Sequence, residues 1–491
     1  MLRRNLIANF VGQGWAAVMG LAFVPLYIKY IGIESYGLIG VFAIIQAWLA
    51  LLDMGLVPAL SREMSRFTGG GHSADSIWTL LRSVETLLLG VAAVFVLVVY
   101  ALSGWASSGW LNAEKLSPDV VRDAVLIMGA VAALRLLENI YKSSLIGLQQ
   151  QLVFNVVNSS LATLRGAGAV AVLAWYSPTV LAFFAWQAIV SVVSVIVMVL
   201  IVYRYMPATS RPPRFSMASL KNIGGFAGGV AGVTFLALLL TQVDKVLLSK
   251  LLPLSEFGYY SLAALLANGL FLVVGPINQA FFPRFSELYS RQLQTELAEA
   301  FHLGAQLVTV IFGTGAVLLI CFSEFVLSIW THDAELARNV APLVSILSLG
   351  SLLNGLLWIP YQMQLAHGWT GLAVRVNLIA VALVVPAIIW VTPRYGSVGV
   401  AWVWVLLNTG YLLAGMHFMF RKIMCEEKWR WYIEDIFLPI FLGGLTAYLL
   451  KVVFSTVGML SFLVAAVFVF LVFILSASRV RALLVKQILQ R

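Results

Sequence analysis

Charge is scarce in this chain. Asp, Glu, Lys and Arg make up 11% of its 491 residues, against about 25% in soluble domains. That shortage excludes a soluble globular enzyme and a charged disordered chain. Cysteine is scarcer still. The two residues, Cys321 and Cys425, argue against a disulfide framework and against a thiolate metal centre. The five histidines are scattered and form no His-Glu-x-x-His pair. A phosphate loop of the P-loop type is also missing, so ATP hydrolysis by that route is excluded. Long polar loops are lacking too. The longest expected one, after the second apolar stretch, has about 25 residues, which leaves no room for an extramembrane catalytic domain.

Apolar residues are what the chain has in abundance, at 61%. A helix crosses the roughly 30 Å hydrocarbon core with about 20 largely apolar residues. Fourteen such stretches are present, at 6–28, 37–57, 82–103, 122–145, 152–176, 179–203, 223–247, 257–281, 301–323, 336–359, 370–391, 397–420, 433–451 and 457–477. The expected fold class is an all-α polytopic membrane protein with about 14 transmembrane helices. Ser177-Pro178 and Pro393-Arg394-Tyr395-Gly396 are expected to separate neighbouring helices, because Pro and Gly interrupt them. The start, Met1-Leu2-Arg3-Arg4, has the basic flank of a secretory signal. The apolar stretch behind it is too long for one and holds Asn9 and Gln13, so it is expected to stay as the first span.

Lys and Arg number 31 against 21 Asp and Glu, a net charge of +10. With the N-terminus in the cytoplasm, nineteen bases fall on cytoplasmic segments and span ends, Arg3, Arg4, Lys142, Arg211 and Arg491 among them, and seven on the opposite side. This bias follows the positive-inside rule and puts both termini in the cytoplasm. It accounts for the net charge with no nucleic-acid partner.

The chain also repeats itself. Lys29 stands eight residues before Gly37, which follows Tyr36; Lys250 stands eight before Gly258, which follows Phe257, at an offset of 221. Tyr141, Leu145 and Asn158 match Tyr361, Leu365 and Asn377 at offsets of 220 and 219. Membrane loops reuse Gly and aromatics, and each match alone is weak. Together they predict two six-helix bundles in the same orientation, with the substrate path between them. The expected limits are 1–205 for the N-terminal bundle, 206–222 for a cytoplasmic linker, 223–422 for the C-terminal bundle, and 423–491 for two added helices with a basic tail.

Five basic residues, Arg82, Arg135, Arg165, Lys245 and Arg375, and four acids, Asp53, Glu85, Glu138 and Asp244, fall within spans. A charge at the bilayer centre costs at least about 2.5–3.5 kcal/mol, so such groups face a bundle interior or water. Arg82 with Glu85 and Arg135 with Glu138 have i, i+3 spacing and can neutralise each other locally. Arg165 sits 13 residues into its span with no acid within four positions. Its counter-charge must come from another helix, a lipid or a bound anion, which makes it the foremost functional candidate. Eleven amides share the spans: Gln13, Gln46, Asn155, Asn158, Gln187, Gln242, Asn268, Asn278, Asn354, Asn377 and Asn408. A lone intramembrane amide commonly joins helices, but eleven suggest a polar cavity. Amides, cations and aromatic faces together suit sugars and phosphates.

The segments Phe23 to Leu38, Leu52-Asp53-Met54-Gly55-Leu56, and Asp244-Lys245 through Lys250 to Phe257-Gly258-Tyr259-Tyr260-Ser261 resemble the Wzx-type O-antigen and polysaccharide flippases, in the polysaccharide-transporter branch of the multidrug/oligosaccharidyl-lipid/polysaccharide (MOP) exporter superfamily. The resemblance implies a bacterial inner-membrane protein, with membrane lipids around it. It would move an undecaprenyl-diphosphate-linked oligosaccharide from the cytoplasmic to the periplasmic leaflet through a cationic lumen. It would use no cofactor, no metal and no catalytic residue, and would work beside a polymerase and a chain-length regulator. On that reading Arg135, Arg165, Lys245, Arg375, Asn158 and Asn377 contact the substrate. Asp53, Glu85, Glu138 and Asp244 would couple transport to a proton or Na⁺. A lipid II flippase and a multidrug/cation antiporter would share the fold. A polysaccharide polymerase or ligase is the enzyme alternative, but such enzymes carry a large periplasmic loop.

Overall fold

The structure is a computed structural model that describes residues 2–209, 212–369, 371–454 and 457–489. Arg211 and Arg491 lie outside the described residues, as do the side chains of Arg3, Arg4, Asn9 and Asn278. Among the described residues the chain is helical, and the only extended pairing is a single bridge between Asn112 and Pro253. This is the all-α polytopic architecture expected from composition. It divides into two compact units, Met1–Gly258 and Tyr259–Arg491.

The first unit contains α1 (Leu2–Ala22), α2 (Val24–Leu52), α3 (Leu56–Thr68), α4 (Ala74–Trp105), α5 (Pro118–Gly147), α6 (Gln151–Trp175), α7 (Val180–Tyr205), α8 (Met217–Leu251) and the start of α9 (Leu254–Gly269). Short polar side chains start these helices. Ser73, Ser117 and Thr179 accept from the backbone N–H groups of Ser76, Val120 and Ala182, and Pro118 begins α5 where its missing N–H costs nothing. The core lies between α3, α4, α5 and α7, where Leu60, Met64, Ile77, Leu81, Leu145 and Met198 are fully buried.

The second unit contains α10 (Gly275–Ser290), α11 (Gln294–Thr331), α12 (Ala334–Leu356), α13 (Trp358–Ala366), α14 (Gly371–Gly410), α15 (Met416–Lys422), α16 (Lys428–Arg430), a π turn at Trp431–Phe437, α17 (Leu438–Val453), α18 (Met459–Ser476) and α19 (Ser478–Leu489). Phe285, Phe301, Phe312, Phe420 and Trp431 fill its core. A second cluster, around Val469, Phe473 and Ala447, joins α17 and α18 to α11.

Among the described residues ten helical stretches are long and apolar enough to cross a membrane, against fourteen read from sequence. The difference has physical causes. Residues 371–395 and 397–410 are two helices that meet at a kink at the non-helical Gly396 (φ +57°), as the Pro393–Gly396 break predicts, and they count as one stretch. The α5 helix, which carries Arg122, Asp123, Arg135, Glu138 and Lys142, is not among the ten. The expected span 257–281 is interrupted by a 3-10 turn at Leu270–Val273. The polar first helix is the fourth.

Two local readings are corrected. The second span ends at Leu52, not at residue 57. The Asp53 carboxylate accepts from the Gly55 N–H at 2.7 Å, and Gly55 turns the chain at φ +71°. The stretch expected as a 25-residue loop holds α3, an amphipathic helix that buries Leu60 and Met64 and leaves Arg62 and Arg66 exposed. A binary pattern on a short, polar-rich segment is easily missed beside long apolar runs.

The two segments that match at an offset of 221 meet in space. A Cβ added to Gly37 would collide with the Leu254 carbonyl oxygen, and one added to Gly258 would collide with the Ile33 carbonyl oxygen. Ile33 and Leu254 are themselves 221 apart, so the two contacts exchange under the repeat. The loop 112–116 closes over this crossing. The buried Glu34 carboxylate accepts from the backbone N–H groups of Glu114, Lys115 and Leu116 at 2.8–3.1 Å. Ser255, one repeat on from Glu34, donates to Glu114 at 3.4 Å.

Candidate functional site

The polar groups of α5 lie at 135, 138 and 142, spacings of three and four that place them on one helix face. The structure turns that face inward, toward α2, α6 and α7. Glu138 is the centre: its side chain is 1% exposed. Arg165 of α6 donates to it at 2.7 Å, and Lys142 approaches it at 3.0 Å. Arg165 also donates to Ser194 of α7 at 3.0 Å. The counter-charge that Arg165 lacked in sequence is thus supplied by a neighbouring helix.

One expectation is corrected here and one is extended. Arg135 does not use Glu138 as an i, i+3 partner. It turns to Gln46 of α2 and to Gln187 of α7, the latter at 3.1 Å, and its guanidinium lies 5.1 Å from the centre of the Phe42 ring. Lys142, read as a cytoplasmic base at a span end, also belongs to this network. Its spacing of four from Glu138 was a signal visible in the sequence. The charge count placed it at the cytoplasmic end of the span 122–145.

The Gln187 amide donates to the Arg165 carbonyl at 3.5 Å, which links the two arginines through one amide. Two cations, Lys142 and Arg165, therefore meet one carboxylate, and a third, Arg135, joins the network through Gln187. Exposure decides how that excess is presented. Glu138 is sealed at 1%, whereas the Arg165 and Lys142 side chains remain 16% and 22% exposed. The acid organises the cations from behind, and the surface they offer is positive. Such a surface holds an anion with charge-assisted hydrogen bonds.

A second polar group lies on α4. Arg82 donates to Glu85 at 2.9 Å, and the hydroxyl of Tyr203 donates to the same carboxylate at 2.9 and 3.1 Å. This is the local i, i+3 pair expected from spacing. Lys245 of α8 bonds Gln242 at 3.3 Å and the Thr241 carbonyl at 3.4 Å, and its neighbour Asp244 is half-buried. Asn158 is half-buried on α6. In the second unit, Asn377 accepts from Tyr411 at 3.2 Å, and Arg375 is exposed on α14. Of the candidate residues, then, Arg135, Glu138 and Arg165 come together in one network. Asn354 donates to Asn408 at 2.8 Å, an amide pair that joins α12 to α14.

Buried ion pairs on a scaffold of long apolar helices define a polytopic membrane protein. Comparison with known proteins assigns it further. The family description "Polysaccharide biosynthesis protein" matches residues 2–289, and "MatE" matches residues 230–391. The first covers more than half of the chain, and the chain belongs to that polysaccharide biosynthesis family. A Shigella flexneri protein named "Putative O-antigen transporter" is 21% identical over 408 residues, covering 82% of this chain and 93% of that one. Among solved structures, the lipid II flippase MurJ in an inward closed conformation superposes with a TM-score of 0.70 at 14% identity, over 98% of this chain and 99% of that one. An inward-facing multidrug MATE transporter of the MOP superfamily gives 0.60 at 13% identity, over 84% and 96%. These structures share the fold. The chain is a multi-pass membrane protein of the polysaccharide biosynthesis family.

Proposed function

We propose that the protein is a flippase for a polyprenyl-diphosphate-linked oligosaccharide, an O-antigen or related repeat unit, moving it from the cytoplasmic to the periplasmic leaflet of the bacterial inner membrane. The observation that carries this reading is the cation excess around Glu138 in a chain of the polysaccharide biosynthesis family. A pyrophosphate is the anion such a site suits, and amides such as Asn158 and Asn377 suit the sugar hydroxyls. A head group crossing bare hydrocarbon would leave each polar group unpaired at several kcal/mol. A site inside the protein supplies those partners. Movement between leaflets follows by alternating access of the two repeat-related bundles, 1–205 and 223–422, with both termini in the cytoplasm. The protein transports rather than transforms its substrate, and a polymerase and chain-length regulator act on the product.

Arg165 tests the reading. Arg165→Ala and Arg165→Lys should each cut O-antigen assembly in a complementation assay while membrane insertion stays normal. Full complementation by both removes Arg165 from the site. Proton or Na⁺ antiport through Asp53, Glu85, Glu138 or Asp244 is the proposed energy source. Proteoliposome transport that ignores both gradients overturns that part alone.

The fold shared with MurJ favours one second reading, transport of lipid II, and a test of essentiality separates the two. A multidrug/cation antiporter fits poorly, because a positive site repels cationic drugs.

A further inference from the structure

His302 has no part in the network above. It lies in the second unit on α11, fully buried, with both ring nitrogens facing carboxylates. Its Nδ1 is 2.5 Å from Oδ2 of Asp435 in the π turn, and its Nε2 is 2.9 Å from Oε2 of Glu427. Asp435 is itself fully buried, and its other oxygen accepts from Gln306 at 2.8 Å. The same Gln306 accepts from the backbone N–H of Arg479 in α19 at 2.8 Å. Phe301, Phe420 and Trp431 pack around the cluster.

Proton counting makes this arrangement unusual. Each gap between a ring nitrogen and a carboxylate oxygen needs one proton, or two lone pairs face each other. Two gaps need two protons. A neutral imidazole brings one, and two ionised carboxylates bring none. The cluster therefore holds one proton more, either as an imidazolium between two carboxylates or as a neutral ring beside a carboxylic acid. We propose that His302, Asp435 and Glu427 form a proton-binding site, loaded and unloaded from the aqueous side through Glu427, whose unloading frees residues 425–430 from α11. This inference rests on the cluster alone and not on the identity of the transported substrate.

Glu427 is the exchange point because it is 25% exposed, while the other two side chains are at 0%. It also has somewhere to go. The Arg430 guanidinium stands 3.8 Å from the same Glu427 oxygen. The remaining charged groups nearby are accounted for: Glu434 is held by Arg430 at 3.1 Å, Lys428 faces His417 at 3.0 Å, and Arg479 lies beside Asp435. When the extra proton leaves to water, a ring lone pair faces the Glu427 carboxylate. Repulsion then moves Glu427 to Arg430, while Asp435 keeps the one remaining imidazole N–H. Proton release becomes movement of the segment that joins α15 to α17.

The sign of the pH effect follows. The closed cluster holds a proton that the opened one gives up, and stability falls with rising pH wherever the native state binds more protons. The test uses the purified full chain between about pH 6 and 9, the range in which histidine chemistry switches. In wild type the melting temperature should fall as pH rises. Hydrogen exchange at residues 425–430, corrected for base catalysis, should rise over the same range. Glu427→Gln should abolish the dependence without lowering stability at pH 6, because an amide N–H can fill the second gap with no extra proton. A variant that tracks wild type, or a wild type whose 425–430 protection does not change with pH, overturns the proposal. Should Glu427→Gln fail to insert, the wild-type exchange profile decides alone.

Discussion

Glu138, Lys142 and Arg165 show what one buried carboxylate does for two cations. Each cation alone would be expelled from an apolar interior. Glu138 makes their burial tolerable, and its own burial is tolerable only because Arg165 and Lys142 reach it at 2.7 and 3.0 Å. Removing one partner of a buried pair leaves the other uncompensated, at about 3–5 kcal/mol. Glu138→Gln should therefore destabilise the purified protein by about that amount in thermal unfolding, and adding Arg165→Gln should restore part of the loss. Equal stability of Glu138→Gln and wild type would show that the network is not held by charge. Sequence spacing exposed the α5 positions but not their partners. An i, i+3 rule paired Arg135 with Glu138, whereas Gln46 and Gln187, 89 and 52 residues away, capture Arg135.

Among the helices, the crossing of α2 and α9 is the feature most tightly specified. Backbone approaches backbone at Gly37 and Gly258, and no side chain fits at either. Close helix approach through small residues is a common membrane device; here it occurs at two positions that the repeat makes equivalent. Gly37→Val and Gly258→Val should each cost about 1–3 kcal/mol by overpacking and lower the melting temperature to a similar degree. Gly90→Ala, where the space is open, should not lower it. A tolerated valine at either crossing position would contradict the contact. The repeat that places both glycines is legible in the sequence. Their meeting is not, because a sequence offset carries no direction in space.

For the whole chain, orientation is the property on which transport direction depends. The bias of nineteen bases to seven predicts Cys425 on the cytoplasmic side and Lys115 on the periplasmic side. Cys425 is exposed and free. In a Cys321→Ser background, an impermeant thiol reagent should label Cys425 in inside-out vesicles and spare it in intact cells. In a cysteine-free background, Lys115→Cys should behave oppositely. Reversed labelling would invert the topology and with it the direction of transport.

Composition alone determined that this chain lives in a bilayer as helices, because so apolar a polymer must satisfy its backbone hydrogen bonds internally. The spacing of charges along each helix determined which faces avoid lipid. Tertiary structure decided which charges meet. Ion pairs such as Arg165 with Glu138 and clusters such as His302 with Asp435 and Glu427 join residues 27, 133 and 125 positions apart, and only packing brings such residues within hydrogen-bonding reach.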